Sequence, residues 1–485
     1  MTLSRPFNTV FTYFFTGLFT LVLMSCSSSK PPVSRSQNNH FVLNNINILD
    51  IEHRRVIHHQ RLLIRNGKIE AITSASEPMN HSNLRVIEGH GGYVTPGLID
   101  MHVHMYEAGA LSLALSHGVT HVRIMNGMPA QLVWRDKVNN GELIGSSASV
   151  SSPIISGNEN AMLQHYVDSP QSALNAVQQY KSQGYDLIKA YGGLSAEVLK
   201  ALIEEANRLN MPIAKHGPHG ALPSAPHSHQ SHSLQSHYPV LGENSLTTLA
   251  GLQSFEHVED IYQGPMRHQF SQEGLPEVIQ ALSATNVPIT PTLNIFDQLT
   301  QISVGKHAYL STIPESYTSD IIAMEAKRNQ VKRWLTASDN MGKHNQKTLA
   351  LLIDITHALH LHNIPLMVGS DSGVLLSPHG IATHREMQLL KQAGLDNYEV
   401  LKAATLTPAK ALLLEKQIGK IEAHFNADFI YTYTNPIQDI NALKHPIAVS
   451  KNGHWYTQKQ LSELRDDAIN NRSFWREMLD LLEAI

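Results

Sequence analysis

The chain has 485 residues, 42% of them apolar and 16% charged, which excludes a largely disordered protein because enough apolar side chains are present for an extensive core. The 37 Lys and Arg almost balance the 41 Asp and Glu, and no basic cluster is interleaved with aromatic residues, so nucleic acid is not expected as a partner. The 29 His are unusual, and they suggest metal chemistry because neutral imidazole is the commonest metal ligand.

Residues 1–26 have the form of a bacterial lipoprotein signal peptide. Arg5 precedes an apolar stretch over residues 10–24, which is somewhat short for a membrane span. The single Cys of the chain, Cys26, follows Leu23-Met24-Ser25, an order that resembles a lipobox. We therefore expect a lipidated Cys26, a flexible tether over residues 27–40, and anchoring at the cell envelope, on the outer membrane facing the periplasm. A retained membrane helix is the alternative.

The rest of the chain predicts an α/β protein with two structural units. Residues 41–92 indicate a small β domain, with strands at 41–49 and 61–64. The pattern then changes to strands alternating with amphipathic helices, and the eight strands are expected at residues 93–104, 118–125, 148–155, 185–191, 212–216, 254–258, 287–293 and 364–371. Eight such units predict a (β/α)8 TIM barrel over residues 93–412.

The C-terminal flank is expected to return to the small β domain. Residues 395–414 indicate a helix, and residues 429–433 and 447–451 indicate strands within a segment at 413–461. With residues 41–92 these strands would complete a small β-sandwich domain. Residues 462–485 have the spacing of one amphipathic helix.

The pair His102 and His104 ends the first predicted barrel strand. Alternate residues of a strand point to the same side, so the two imidazoles can bind one ion together. In a chain with 29 His such a pair is close to the chance expectation. Its position carries more weight, because barrel enzymes place their chemistry at the carboxyl ends of the strands.

Four later strand ends add further ligand types. They carry Lys189 on the fourth strand, His216 on the fifth, His257 on the sixth and Asp371 on the eighth. One His at a strand end is usually a hydrogen-bonded core residue. All of them together at one mouth of a barrel predict a metal site.

These residues lie in stretches that resemble the amidohydrolase superfamily, in particular its imidazolonepropionase-like and prolidase-like branch. The resemblance covers nearly all of residues 41–450, and the matching stretches are 92–104, 118–120 with 122–123, 186–191, 255–257, 369–371, 384–386, 403–409, and 418–422 with 427–428.

The resemblance implies a site for two divalent ions, expected to be zinc. Its ligands would be His102, His104 and Asp371 for one ion, and His216 and His257 for the other. Lys189 would bridge the ions as a carbamate, because CO₂ addition turns a repelled ammonium into a carboxylate-like ligand. An ordinary ion pair is the alternative role of Lys189, and family members without a bridging Lys keep one metal. Asp371 would also be the catalytic residue, which accepts the proton of the attacking water.

The groups that bind a small-molecule substrate are less defined by the sequence. Tyr191 and His219 flank predicted ligands, while Arg123 and His384 lie near predicted strand ends, so each is a candidate to bind a carboxylate or a carbonyl. The sequence departs from the family pattern at residues 124–126, where we expect an Asp near the position of Asn126.

The sequence favours hydrolysis of an amide or peptide-like C–N bond, in an Xaa-Pro dipeptide or an N-acyl amino acid. The alternatives are a cyclic amidase or deaminase on the same scaffold, and a non-catalytic periplasmic zinc-binding lipoprotein. The last is suggested by a His-rich segment at residues 217–239, which is either a polar loop or a zinc-collecting loop. A homo-oligomer is a further expectation.

Overall fold

The structure is a computed structural model, and it describes residues 39–78, 84–161, 163–217 and 252–484. The predicted signal peptide, the lipidation site Cys26, the candidate substrate residue His219 and nearly all of the His-rich segment lie outside the described residues. Among the residues that are described, no helix combines the length and the apolar character that a membrane crossing needs.

Strands and helices alternate through the middle of the chain, whereas the two flanks are rich in strands. In chain order the strands are β1 (Phe41–Asp50), β2 (Arg55–Arg65), β3 (Lys68–Ser74), β4 (Arg85–Glu88), β5 (Tyr93–Pro96), β6 (Leu98–Val103), β7 (Val119–Ile124), β8 (Ser147–Val150), β9 (Ile154–Ser156), β10 (Gln164–Tyr166), β11 (Ile188–Ala190), β12 (Ile213–His216), β13 (Ser254–Glu256), β14 (Ile289–Thr290), β15 (Phe429–Thr432), β16 (Ala448–Lys451) and β17 (His454–Thr457).

The helices follow the barrel strands and also cover the C-terminal end of the chain. They are α1 (Gly109–Ser116), α2 (Pro129–Asn140), α3 (Pro170–Ser182), α4 (Ala196–Arg208), α5 (Glu259–Gln263), α6 (Leu275–Thr285), α7 (Leu293–Leu310), α8 (Asp320–Arg328), α9 (Gln330–Leu335), α10 (Asp339–Leu361), α11 (Ile381–Gln392), α12 (Asn397–Ala404), α13 (Leu406–Ala411), α14 (Gln458–Asn470) and α15 (Phe474–Glu483).

Both flanks of the chain contribute to one sheet of eight strands. Its order is β17-β16-β15-β5-β1-β2-β3, and β4 pairs with β1. Apolar side chains from both flanks, among them Phe41, Phe429 and Trp455, form its core. In the described residues this is a single sheet, so the β-sandwich stays a prediction.

The predicted first barrel strand at residues 93–104 is divided at Gly97. The part before Gly97 is β5, which pairs with β15 and β1 in the flank sheet, and the part after it is β6, which pairs with β7. A Cβ atom at Gly97 would lie 2.2 Å from the Thr120 side chain, so the close passage requires glycine. The chain therefore leaves the flank sheet at this residue and enters the parallel part.

The middle of the chain forms two parallel sheets. One has the order β6-β7-β8 and the other β10-β9-β11-β12-β13-β14. Isolated parallel bridges join Ser151 with Leu187, Ile289 with Leu366 and Val103 with Ser372. The fold is therefore TIM-barrel-like, but the described strands do not form one continuous closed barrel.

Several predicted elements are corrected by the structure. The predicted strand at 148–155 is two strands, β8 and β9, and the predicted strand at 364–371 forms only isolated bridges. It ends at Asp371, whose φ of +52° is incompatible with an extended backbone. The single helix predicted at 462–485 is two helices, because Ser473 caps a new helix with its side chain.

Candidate metal centre

His102 and His104 are held at the carboxyl end of β6 by the segment that contains Asp371. The backbone N–H of Asp371 donates to the carbonyl of His102 at 2.7 Å. The buried Asp100 carboxylate accepts from the backbone N–H groups of His102 and Ser370, at 3.2 and 2.9 Å, and so ties the two segments together. Backbone contacts fix the candidate ligands relative to one another.

The side chains of His102, His104 and Asp371 converge. Asp371 Oδ1 lies 3.1 Å from Nε2 of His104 and 3.7 Å from Nε2 of His102. One ligand atom of each residue lies within 4.8 Å of those of the other two. Two imidazoles and one carboxylate at this spacing can bind a divalent cation.

The remaining predicted ligands lie next to these three residues. The ring centroids of His102 and His257 are 4.7 Å apart, and those of His257 and His216 are 4.4 Å apart. Lys189 is buried on β11, and its Nζ has no hydrogen-bond partner among the described residues. The structure thus brings His216, His257 and Lys189 to the same cavity as the first three residues.

A second set of side chains fixes which imidazole nitrogen of His102 and of His257 is available to a metal ion. Nδ1 of His102 donates to Glu256 at 2.8 Å. Nδ1 of His257 donates to Thr292 Oγ1 at 2.7 Å, since that hydroxyl gives its own proton to the Pro291 carbonyl. Both histidines therefore keep Nε2 for a ligand, a pattern typical of metal sites.

His216 has the opposite arrangement. Its Nε2 lies 3.2 Å from Asp260 Oδ2, while its buried Nδ1 has no partner among the described residues. Nδ1 is therefore the atom available to a cation. Sequence reasoning missed Glu256, Thr292 and Asp260 in these roles. A carboxylate directly before His257 in an apolar strand was the one signal that could have identified Glu256.

Arg123 belongs to this supporting set and does not line the cavity. It donates to Glu256 at 2.6 Å, to Ser254 Oγ at 2.7 Å and to the Met101 carbonyl at 2.7 Å. The side chains of Arg123 and Glu256 have no exposed surface. Arg123 therefore holds Glu256, which in turn holds His102.

The electrostatics of the site favour neutral imidazoles and an ionised carboxylate. Burial and the neighbouring Lys189 lower the pKa of His102 to about 4. Burial also lowers the pKa of His216 and of His257 well below the ordinary value. For Asp371, burial would raise the pKa, but His102 and the hydrogen bond with His104 hold it below the ordinary value.

Lys189 is electrostatically unusual as well. Burial lowers its pKa to about 8, partly opposed by the Glu256 carboxylate. About one tenth of this amine is therefore uncharged at pH 7, and in that form its lone pair is available.

The cavity over these residues has a volume of about 380 Å³. Besides the candidate ligands, it is lined by Tyr106, Asn126, Gly127, Met128, Ile154, Leu163, Gln164, Tyr191, Gln330, Val374 and Ala484. Burial raises the pKa of Tyr106 to about 12, so its phenol is a hydrogen-bond donor at neutral pH. Asn126, at the departure from the family pattern, accepts from the Met105 N–H at 3.1 Å and lines the cavity.

The predicted substrate residues have different positions. Tyr191 lines the cavity, and its ring centroid lies 4.1 Å from that of His216. His384 is buried outside the cavity lining, where its Nε2 pairs with the His117 carbonyl at 2.9 Å. Arg123 is engaged with Glu256, as described above, and His219 is not among the described residues.

The donor set fits divalent metal ions. One ligand atom each of His102, His104 and Asp371 lies within 4.8 Å of the other two, a spacing that one divalent cation can span. His216 Nδ1 and Lys189 Nζ are buried without partners, as expected of atoms directed at an absent ligand. Imidazole and carboxylate are the ligand types of zinc.

Comparison with known proteins identifies the family. The amidohydrolase family matches residues 93–456, which is most of the chain. The chain belongs to the amidohydrolase family. Members generally use divalent metals, and membership makes this protein a hydrolase of carbon–nitrogen bonds, which confirms the resemblance found in the sequence.

Individual relatives are more distant. The imidazolonepropionase of Idiomarina loihiensis is 36% identical over 66 residues, which are 13% of this chain and only 16% of that protein. A putative prolidase from Bifidobacterium longum matches in structure with a TM-score of 0.62 and 21% identity, over 90% of this chain and all of the other. A bottromycin amidohydrolase matches with a TM-score of 0.71 and 20% identity, over 90% and 92% of the two chains. At these identities the structures show a shared fold.

Proposed function

We propose that the protein uses divalent metal ions to hydrolyse an amide or peptide-like C–N bond in a small substrate. The observation that carries the proposal is the convergence of His102, His104 and Asp371 at a cavity where other buried donor atoms have no partner. Family membership supports the reaction type, and the cavity volume suits a small molecule.

Two zinc ions are the proposed cofactor. His102, His104 and Asp371 would hold one ion, and His216 Nδ1 and His257 Nε2 would hold the other. When bound, such ions would acidify a water molecule and polarise the scissile carbonyl.

Lys189 is the proposed bridge between the two ions. Its uncharged amine would attack CO₂, so that an N–C bond forms, a proton is released and a carbamate anion results. The lowered pKa of Lys189 and its unpartnered Nζ support this step, because an ammonium held by acceptors could not react.

Asp371 is the proposed catalytic acid and base. Its carboxylate would accept a proton from the attacking water as the C–O bond forms, and would donate a proton to the leaving nitrogen as the C–N bond breaks. The lowered pKa of Asp371 supports an ionised resting form. Tyr106 and Tyr191 lie in the same lining, where a phenol can orient the substrate carbonyl.

Two classes of substrate are proposed for the first assays. Prolidases among the structural neighbours, including an Xaa-Pro dipeptidase with bound methionine at a TM-score of 0.63, suggest Xaa-Pro dipeptides and N-acyl amino acids. The short match to imidazolonepropionase suggests a cyclic amide as the second candidate.

The test is a screen of the zinc-loaded protein against dipeptides, N-acyl amino acids, lactones and cyclic ureas. Wild-type protein should hydrolyse at least one amide, and the Asp371→Asn variant should retain zinc but lose turnover. Full activity of Asp371→Asn, or no hydrolysis of any amide by zinc-loaded wild-type protein, would contradict the proposal.

Anchoring at the bacterial envelope is a separate proposal, which rests on the sequence around Cys26 alone. The Cys26→Ser variant should move from the membrane fraction to the soluble fraction. Continued membrane attachment of this variant would favour a retained helix instead.

A further inference from the structure

The first turn of α7 is capped in an unusual way. The helix begins at Leu293, directly after Thr292, and a Thr at this position usually accepts from the free N–H groups of the first turn with its hydroxyl. Within the described part of the chain, the Thr292 hydroxyl makes no such bond with α7. Its partners are Nδ1 of His257 and the carbonyl of Pro291, both at 2.7 Å. The N–H groups at the start of the helix therefore need another acceptor.

Glu386 supplies that acceptor from α11. Its Oε2 accepts from the N–H of Asn294 at 2.7 Å, and the N–H of Leu293 also donates to this carboxyl group. The Glu386 side chain is fully buried. Burial raises the pKa of Glu386 to about 8, although the two N–H groups favour the ionised form. The neutral carboxyl group that predominates at pH 7 still offers its carbonyl oxygen as an acceptor.

Thr292 needs support from its surroundings because its backbone is strained. Its φ and ψ are +53° and +40°, in the left-handed region that a β-branched residue rarely adopts. Strain of this kind persists only where neighbouring groups fix the residue. The bonds from the next two N–H groups to Glu386 hold the chain directly after Thr292, and in this conformation the Thr292 hydroxyl meets Nδ1 of His257.

We infer that Glu386 is a positioning residue for His257: it caps α7 in place of Thr292, and so leaves the Thr292 hydroxyl free to hold Nδ1 of that imidazole. Nδ1 then carries the proton, and Nε2 keeps its lone pair for a cation. The inference rests on the proposed metal-dependent function. It adds a residue of α11, a helix that carries none of the candidate ligands, to the groups that prepare the metal centre.

The test locates the imidazole proton by long-range proton–nitrogen NMR spectra of metal-free protein that contains isotope-labelled histidine. The signals of His257 and His102 are assigned by their loss in His257→Gln and His102→Gln. Wild-type protein should carry the proton on Nδ1 in both residues. In Glu386→Met, which keeps the side-chain length but removes the acceptor, the Thr292 hydroxyl should turn towards the helix, so that His257 becomes a mixture of both tautomers. His102 should not change, because Glu256 holds it independently.

The matched control is Arg385→Met on the same helix. Arg385 also binds α7, through Asp297 at 2.7 and 2.9 Å, but one turn beyond the capped N–H groups. This change removes a contact between the same two helices and should leave the proton of His257 on Nδ1. Glu386→Gln retains an acceptor oxygen and should also keep the proton there. Affinity for the zinc ion of His216 and His257 should fall about 10–100-fold in Glu386→Met, and in neither of the other two variants.

Retention of the Nδ1 proton by His257 in Glu386→Met, or its loss in Arg385→Met or in Glu386→Gln, would overturn the inference. If Glu386→Met does not fold, Glu386→Asp decides in its place. The Asp side chain ends one methylene short of the two N–H groups, so His257 should become the same mixture of tautomers. Because the spectra are recorded without metal, failure of wild-type protein to bind zinc or to hydrolyse any amide would contradict the proposed function and not this inference.

Discussion

The guanidinium of Arg123 and the carboxylate of Glu256 form an ion pair of 2.6 Å in which neither side chain is exposed. Glu256 uses its other oxygen to accept from Nδ1 of His102. The orientation of a proposed metal ligand therefore depends on an arginine one strand away, and the two charges are stable in the interior because each has partners.

Replacing Arg123 should damage both the fold and the proposed metal site. In Arg123→Met the Glu256 carboxylate stays buried without its cation, which should reduce the free energy of unfolding by about 3–5 kcal/mol. Zinc affinity should fall by about 10–100-fold because His102 loses its fixed orientation. Denaturant unfolding and zinc titration measure the two effects.

The control for this variant is Arg65→Ala. Arg65 pairs with Glu70 at 2.9 Å, but both side chains are about two-fifths exposed. Solvent screens this pair, so the change should cost less than about 1 kcal/mol and leave zinc affinity unaltered. Equal losses in the two variants would contradict the role given to the buried pair.

Asp260 should act on only one of the two proposed ions. It lies 3.2 Å from Nε2 of His216, and it has no such contact with His102 or His104 among the described side chains. Asp260→Ala should weaken the ion of His216 and His257 by about 10–100-fold, with the other ion unchanged. Asp260→Asn keeps an acceptor oxygen and should restore most of the affinity.

Zinc stoichiometry under chelator competition distinguishes these outcomes for Asp260. Wild-type protein should lose its two ions in two steps as the chelator concentration rises. In Asp260→Ala the ion of His216 and His257 should leave at a lower chelator concentration than in wild-type protein, and the other ion at the same concentration. A single shift of both ions together would show that Asp260 supports the whole site, contrary to the assignment.

Lys189 should take up CO₂, unlike the other buried lysine nearby. Its Nζ has no partner, whereas Nζ of Lys215 donates to the carbonyls of His216 and Gly217 at 3.1 and 2.8 Å. Labelled bicarbonate should therefore give a carbamate signal by NMR in wild-type protein and in Lys215→Met. The signal should be absent in Lys189→Ala, which should also bind fewer zinc ions.

The sequence allowed the candidate ligands to be predicted because His102, His104, His216 and His257 stand at or next to the carboxyl end of a strand, where position along the chain implies position in space. It did not allow the roles of Asp260 and Thr292 to be predicted. Asp260 lies on α5, which follows β13, but its side chain contacts His216 at the end of β12. Thr292 lies directly before α7, and its hydroxyl contacts His257. Such partners are fixed by tertiary packing, which has no local pattern.

Arg123 is another residue whose role the sequence alone does not determine. The sequence placed Arg123 near a strand end as a candidate to bind substrate, and it could not distinguish such a group from one half of a buried ion pair. The positive φ of Asp371 was also not predictable from its residue type; it occurs where the backbone N–H of Asp371 donates to the carbonyl of His102.

Glu477 should make stability depend on pH. Burial raises its pKa to about 7, with Ser319 opposing and Glu107 adding to the shift. The folded state binds the Glu477 proton more tightly than the unfolded state does. Protonation of Glu477 therefore stabilises the fold fully below the ordinary Glu pKa of about 4.3, and this stabilisation is lost as the pH rises through about 7. In wild-type protein the free energy of unfolding should therefore fall by about 1 kcal/mol as the pH rises over this range, and in Glu477→Gln this fall should be absent. Denaturant unfolding at several pH values measures the difference. Glu483→Gln, on the exposed side of α15, should keep the wild-type profile.

Gly373 and Gly184 allow steric crowding at the site to be separated from backbone strain. Their φ angles are +90° and +87°, so an alanine at either position has about the same strain, on the order of 1–2 kcal/mol. A Cβ at Gly373 would lie 1.8 Å from the His104 carbonyl, whereas nothing lies within 4 Å of a Cβ at Gly184. Gly373→Ala must therefore displace the backbone of His104 and should cost about 1–3 kcal/mol more than Gly184→Ala. Zinc affinity should fall in Gly373→Ala alone, and an equal fall in both variants would mean that strain, not the position of His104, controls the metal site.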